Sequence, residues 1–102
     1  MPALVFHPLV EADLRGASLW YEEQQAGLGA RFEAEAHLHL RRLPADALLY
    51  AVRFANIRRL NLKRFPYGVF YFVAGDEAVV LGVLHAARDT REELERRRAS
   101  IA

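Results

Sequence analysis

Residues 57–85 run IRRLNLKRFPYGVFYFVAGDEAVVLGVLH, and the spacing of turn residues in this stretch decides the fold. Ile57 to Leu62 reads as one strand. Phe65-Pro66-Tyr67-Gly68 reads as a turn. Val69 to Ala74 is a strand rich in the aromatic and β-branched residues that suit a pleated surface. Gly75-Asp76-Glu77 has the composition of a hairpin turn. Ala78 to His85 is almost continuously apolar, the pattern of a strand covered on both faces.

Upstream the period changes. Ala3 to Phe6 is a short apolar run and a candidate first strand. Pro8 suits the first turn of a helix, where its missing N–H does no harm. From there to about Gln25, Leu14, Ala17 and Trp20/Tyr21 recur at helical steps. Gly27-Leu28-Gly29 interrupts that stripe, glycine being tolerant of the left-handed conformation that closes helices. Leu28, Phe32, Ala36, Leu40 and Leu43 form a second stripe, and Pro44 is expected to end it. Downstream, Thr90 can cap a short last helix, with Glu93 completing a capping box. That helix carries Arg91, Glu92, Glu93, Glu95, Arg96, Arg97 and Arg98 with little that is apolar, so it is expected to fray unless a partner steadies it. The order is β-α-α-β-β-β-α. It describes an α+β domain over residues 1–102, with a small antiparallel four-stranded sheet and a helical hairpin packed on one face.

The 102 residues are 53% hydrophobic and 26% charged, which is an ordinary globule and no disordered or membrane chain. Cysteine is absent, which excludes disulfides and thiolate metal sites and fits a reducing cytoplasm. The N-terminus lacks the basic region of a secretory signal. Net charge is +1 but uneven. Residues 1–52 carry four basic and seven acidic groups, net −3, whereas residues 53–102 carry ten basic and six acidic, net +4. Arg53, Arg58, Arg59, Lys63 and Arg64 have no acid between them, which suits either an anionic partner or a strand edge guarded by charge. Trp20 and Tyr21 are expected to form an exposed aromatic pair.

The element order and several motifs resemble the RelE/ParE toxins of bacterial type II toxin–antitoxin systems. The matching residues are Asp13-Leu14 with Trp20-Tyr21, Gly27-Leu28-Gly29 with Arg31-Phe32, Ile57-Arg58-Arg59, Arg64-Phe65-Pro66-Tyr67, Val69-Phe70-Tyr71 and Val83 through Asp89. The resemblance spans nearly the whole chain, and it implies a growth-inhibiting toxin, often called a plasmid stabilisation protein. Such a toxin is held by a neighbouring antitoxin that is acidic, partly disordered and ParD-like, and that makes the complex's contact with operator DNA. No cofactor, metal or membrane is implied. The target is DNA gyrase in the ParE branch or ribosome-bound message in the RelE branch.

RNA cleavage needs a base, an acid and cations for the phosphate. Of three positions RelE-like enzymes use, one falls on Gly68, one on Arg88 and one near Leu94, so only Arg88 keeps its chemistry. The resemblance therefore leans to a non-catalytic gyrase inhibitor. The alternatives are an endoribonuclease using Arg88 with Lys63, Arg64 or His85, and a detoxified module that only binds the antitoxin. Arg58, Arg59, Lys63, Arg64 and Arg88 are the candidates for contact with target or nucleic acid. Trp20, Tyr21, Arg53, Arg58 and Arg59 are those for the antitoxin. His85 reads more readily as a hydrogen-bonded packing residue at a strand end, and Arg88-Asp89 as an internal pair. His37 and His39 sit on different sides of a helix and make a poor metal pair. Of Phe70 and Tyr71, at least one is expected in the core.

Overall fold

A computed structural model describes residues 2–101. Its elements are β1 (Ala3–Phe6), α1 (Leu9–Gln24), α2 (Leu28–Asp46), β2 (Val52–Phe54), β3 (Ile57–Asn61), β4 (Tyr67–Ala74), β5 (Glu77–His85) and α3 (Arg91–Ala99). The sheet has five strands, in the order β1-β5-β4-β3-β2. β1 runs parallel to β5 and the other neighbours are antiparallel.

The fifth strand corrects the expected four. β2 has three residues and reaches β3 through Ala55 and Asn56, both left-handed at φ 46° and 64°. A two-residue hairpin needs that geometry, usually from glycine; Ala-Asn gives no compositional sign of it. α2 also runs on through Pro44 to Asp46. The proline forfeits one helical hydrogen bond near the end, while the flanking Leu43 and Ala47 are both buried.

The sheet is covered on both faces. Val69 and Tyr71 of β4 join the core under the α1–α2 hairpin. Phe70 and Phe72 join a second core with Ile57, Leu81 and Leu94, so both Phe70 and Tyr71 are interior. The β4–β5 register slips between Phe70 and Tyr71, which face Gly82 and Val80. This bulge at Leu81 resets the alternation, returning Val83 to the hairpin side. The Tyr71 hydroxyl donates to the Ala47 carbonyl at 2.5 Å, and burial pushes the phenol up to about 12.

α3 is anchored, contrary to the fraying expected of so polar a helix. Leu94 is fully buried. The guanidinium groups of Arg91 and Arg98 lie over the rings of Phe54 and Phe72, at 4.4 and 4.1 Å, and Arg98 donates to the Ala55 carbonyl of the β2–β3 turn. Arginine stems and planes thus do the covering that apolar side chains would otherwise do. The capping box is absent: Thr90 makes no side-chain cap, and Glu93 accepts from Arg96 and Arg97 instead.

Beyond β1, side chains replace a strand at the edge of β5. The last backbone bond runs from His7 N–H to Val80 O. Next, Asp13 Oδ2 accepts the Val83 N–H at 3.0 Å, and Arg97 Nη1 donates to the Leu81 carbonyl at 3.0 Å. The two side chains close on each other at 2.6 and 3.0 Å. Gly82 leaves room for them, because a Cβ there would lie 2.8 Å from Arg97 Nη1.

His7 closes the same corner. Its Nδ1 accepts the Leu9 N–H, so Nε2 carries the proton toward Ser100 Oγ at 2.9 Å. Burial, and secondarily the charge of Arg97, lower its pKa below 6.5, against the weaker pull of Asp13 and Glu93. The unfolded chain therefore takes up this proton first on acidification. The stability tied to neutral His7 is complete above pH 6.5 and is lost as pH falls through it toward the folded value. Urea unfolding is expected to show a drop in stability from roughly pH 7.5 to 5.5 that His7→Asn reduces, because its amide oxygen replaces Nδ1 without titrating. An equal drop in the variant would assign the effect elsewhere.

Candidate interaction site

The hairpin turn sets the position of α2. Gly27 takes φ 88°, and a Cβ on Gly29 would sit 2.5 Å from the Ser18 backbone oxygen, so the two helices touch backbone to backbone there. Glu22 binds the turn, accepting the N–H groups of Gly27 and Gly29 at 2.9 and 3.0 Å. Below the turn, Phe32 stacks on Tyr21 at 5.4 Å and meets Phe65 and Tyr67 edge-on at 5.3 and 5.1 Å. Two aromatics of the hairpin thereby join two from the β3–β4 region.

On the outer side of this cluster lies an open groove of about 650 Å³ between α2 and the 62–66 loop. Tyr21, Leu28, Ala34, Leu38, Phe65 and Pro66 give it an apolar floor, and Arg31, Arg42, Lys63 and Arg64 a basic rim. The loop is closed by the Leu62 N–H bonding to the Tyr67 carbonyl. It is tied to α2 by Glu35, whose Oε2 accepts the backbone N–H groups of Lys63 and Arg64 at 2.5 and 3.1 Å. His39 Nε2 stands 3.8 Å from the same carboxylate. Across the loop is a second concavity of about 400 Å³, lined by Arg59, Asn61, Tyr67 and Ala86 and sharing Lys63 through Pro66 with the groove. Among the described residues, Arg31, Arg42, Arg59, Lys63, Arg64 and Arg88 form no ion pair. Uncompensated cations around apolar surface raise the local potential and favour an anionic partner.

The residues singled out in the sequence scatter over these features. Trp20 is 54% exposed, whereas Tyr21 is buried in the aromatic cluster; the expected exposed pair is one exposed ring edge-on to one core ring, 5.1 Å apart. Neighbours on a helix point about 100° apart, so the two could not share a face. Arg53 is exposed on the edge strand. Arg58 turns inward: Nη1 donates to the Tyr50 and Leu48 carbonyls at 2.6 and 3.4 Å, and Nε is buried without a partner. Arg59 lies across Gly68, where a Cβ would come within 2.9 Å of its Nε, with the guanidinium over Phe70 at 5.5 Å and Nε bonded to Asn61 at 2.6 Å. Burial first, and Arg53 second, lower its pKa.

Arg88 is exposed near Tyr67, whose pKa burial raises while the Arg88 charge opposes the rise. Asp89 accepts the Arg91 N–H at 3.4 Å and forms no ion pair with Arg88. His85 packs on Tyr67 at 5.2 Å, its Nδ1 accepting the Ala87 N–H. Arg42 was not singled out and Arg31 counted only within the Arg31-Phe32 motif, although their spacing with Glu35 and Leu38 along one helix face is legible once the core stripe is subtracted.

A family model described as the ParE toxin of the type II toxin–antitoxin system parDE matches residues 4–90. Among solved structures, a chain of the chromosomal ParDE TA system from P. aeruginosa superposes with a TM-score of 0.75 and 20% sequence identity, covering 83% of this chain and 96% of that one. At that identity the likeness is one of fold. No curated protein matches the sequence significantly.

Proposed function

The chain belongs to the ParE toxin family of type II toxin–antitoxin systems, and from that membership we propose that it is a cytoplasmic growth inhibitor that acts on DNA gyrase through protein contacts and is neutralised by an antitoxin seated in the α2 groove. The observation that carries the second part is the groove itself, an apolar floor rimmed by four cations that form no ion pair among the described residues. Its complement is a segment with apolar anchors and acidic flanks. Such a segment is too polar to fold alone, and ordering it costs about 2–5 kcal/mol. Tight neutralisation then calls for more than the standard interface of roughly 1,600 Å², which Trp20 beside the groove would extend. Operator contact is left to the antitoxin.

Two observations support contact rather than cleavage at the target. Leu94 is interior and can move no proton. The Nδ1 of His85 is engaged by its own turn. Purified chain is expected to inhibit gyrase supercoiling, with relief at one equivalent of the antitoxin encoded beside it. Arg88→Ala is expected to weaken growth arrest at equal protein level without loss of fold. Cleaved message mapped by primer extension in a translating extract, with supercoiling untouched, would replace this reading with the endoribonuclease.

A further inference from the structure

The groove and the sheet-side concavity share one wall, the segment Lys63-Arg64-Phe65-Pro66. Its second half is held by Phe65, buried against Tyr21 and Phe32, and by the Pro66 carbonyl, which accepts the Ala86 N–H, whereas the side chains of Lys63 and Arg64 are exposed and form no ion pair among the described residues. The backbone of Lys63 and Arg64 is tied to α2 by a single carboxylate reached across 28 positions of sequence, bonded to two consecutive N–H groups. The Glu35 side chain is only 13% exposed, and the two amides it holds lie at the surface. A carboxylate that accepts two amides holds them more strongly than neutral acceptors do.

We propose that Glu35 is the positioning residue of this wall: by holding the Lys63 and Arg64 amides it fixes where their side-chain charges stand, and so sets the affinity of the groove for an acidic partner. The inference rests on the reading of the groove as the antitoxin's seat. It carries an unusual sign. Glu35 is itself an anion beside a site for anions, so as a charge alone it weakens an acidic ligand, and removing it tightens binding. As a latch it strengthens the ligand, and removing its reach loosens binding. The two roles separate by substitution. Glu35→Gln keeps the length and an acceptor oxygen but drops the charge. Glu35→Asp keeps the charge but draws the oxygens back by one methylene.

The free protein and its variants would first be digested with limiting trypsin, which cleaves after Lys63 and Arg64 only when the loop opens. Cleavage there is expected to speed up about tenfold in Glu35→Asp and Glu35→Ala, and to stay within about threefold of wild type in Glu35→Gln. The dissociation constant for the antitoxin of the adjacent reading frame is expected to rise about tenfold in Glu35→Asp and to stay level or fall in Glu35→Gln. Tighter binding by all three variants, or unaltered loop cleavage in Glu35→Asp, overturns the proposal. Failure of the wild type to bind that antitoxin would sink the reading of the groove, while the digestion of the free chains still decides the latch.

Discussion

Arg97→Ala is expected to cost about 3–5 kcal/mol of unfolding free energy, the range for removing one partner of a buried ion pair. A domain of this size is stable by only about 5–15 kcal/mol in total, so the variant is expected to be part-unfolded at growth temperature. The size follows from what Arg97 holds. With 7% side-chain exposure against 9% for Asp13, neither partner has water to fall back on. The loss strands the Asp13 carboxylate and the Leu81 carbonyl and releases Glu93. Asp13→Ala is expected to fall in the same range, because it frees the Val83 N–H and leaves a cation with Glu93 alone. Urea unfolding of both singles and the double would test this. The double is expected to be less damaging than the sum of the singles, since the second substitution removes a charge that the first left unpaired. Simple additivity, or singles under 1 kcal/mol, would mean that the pair does not hold α3 to β5.

Phe32→Ala should be comparably severe, at about 3–5 kcal/mol for an aromatic truncated in a closed core. Phe32 has no exposed surface and touches Tyr21, Phe65 and Tyr67. Its loss leaves a void walled by α1, β4 and the 62–66 loop, which cannot all collapse inward together. Phe32→Leu, which keeps most of the volume, is expected to cost much less, nearer 1–1.5 kcal/mol. The groove gives a second readout. Tyr21 and Phe65 form part of its floor from the other side, so Phe32→Ala, studied cold enough to remain folded, is expected to bind antitoxin more weakly as well. Full affinity in the folded fraction would show that the floor does not depend on the ring beneath it.

Much of the architecture was legible because it rests on period. The stripe from Leu28 to Leu43 is helical at a glance, and the run from Ala78 to His85 could only be a strand covered on both sides. β2 was hidden because three residues carry no period and its turn, Ala55-Asn56, lacks the glycine that marks such turns. α3 was misread because charge was equated with solvent. Arg91 and Arg98 bury their planes on aromatic rings, and Arg97 meets Asp13 84 positions away, a pairing no local pattern announces.

The interaction site was half legible for the same reason. The basic run from Arg53 to Arg64 is visible as composition, but Arg58 spends its charge on backbone carbonyls. The cations that complete the rim, Arg31 and Arg42, lie in the half of the chain whose net charge is negative. Only folding brings them beside Lys63 and Arg64, where Glu35 and the Phe32–Phe65 contact join the two segments.

The parallel seam between β1 and β5 also sets an order of events during synthesis. Ala3 to Phe6 are made well before Glu77 to Val80 and have no partner until those follow, and the clasp on β5 waits for residue 97. Contacts so far apart in sequence slow folding and defer it until residue 97 has been made. A copy cut short before β5 has an unpaired first strand and a hairpin with no sheet to cover, which is proteolytic substrate rather than toxin. The folded surface therefore forms only after the residues of β5 and α3 have been made.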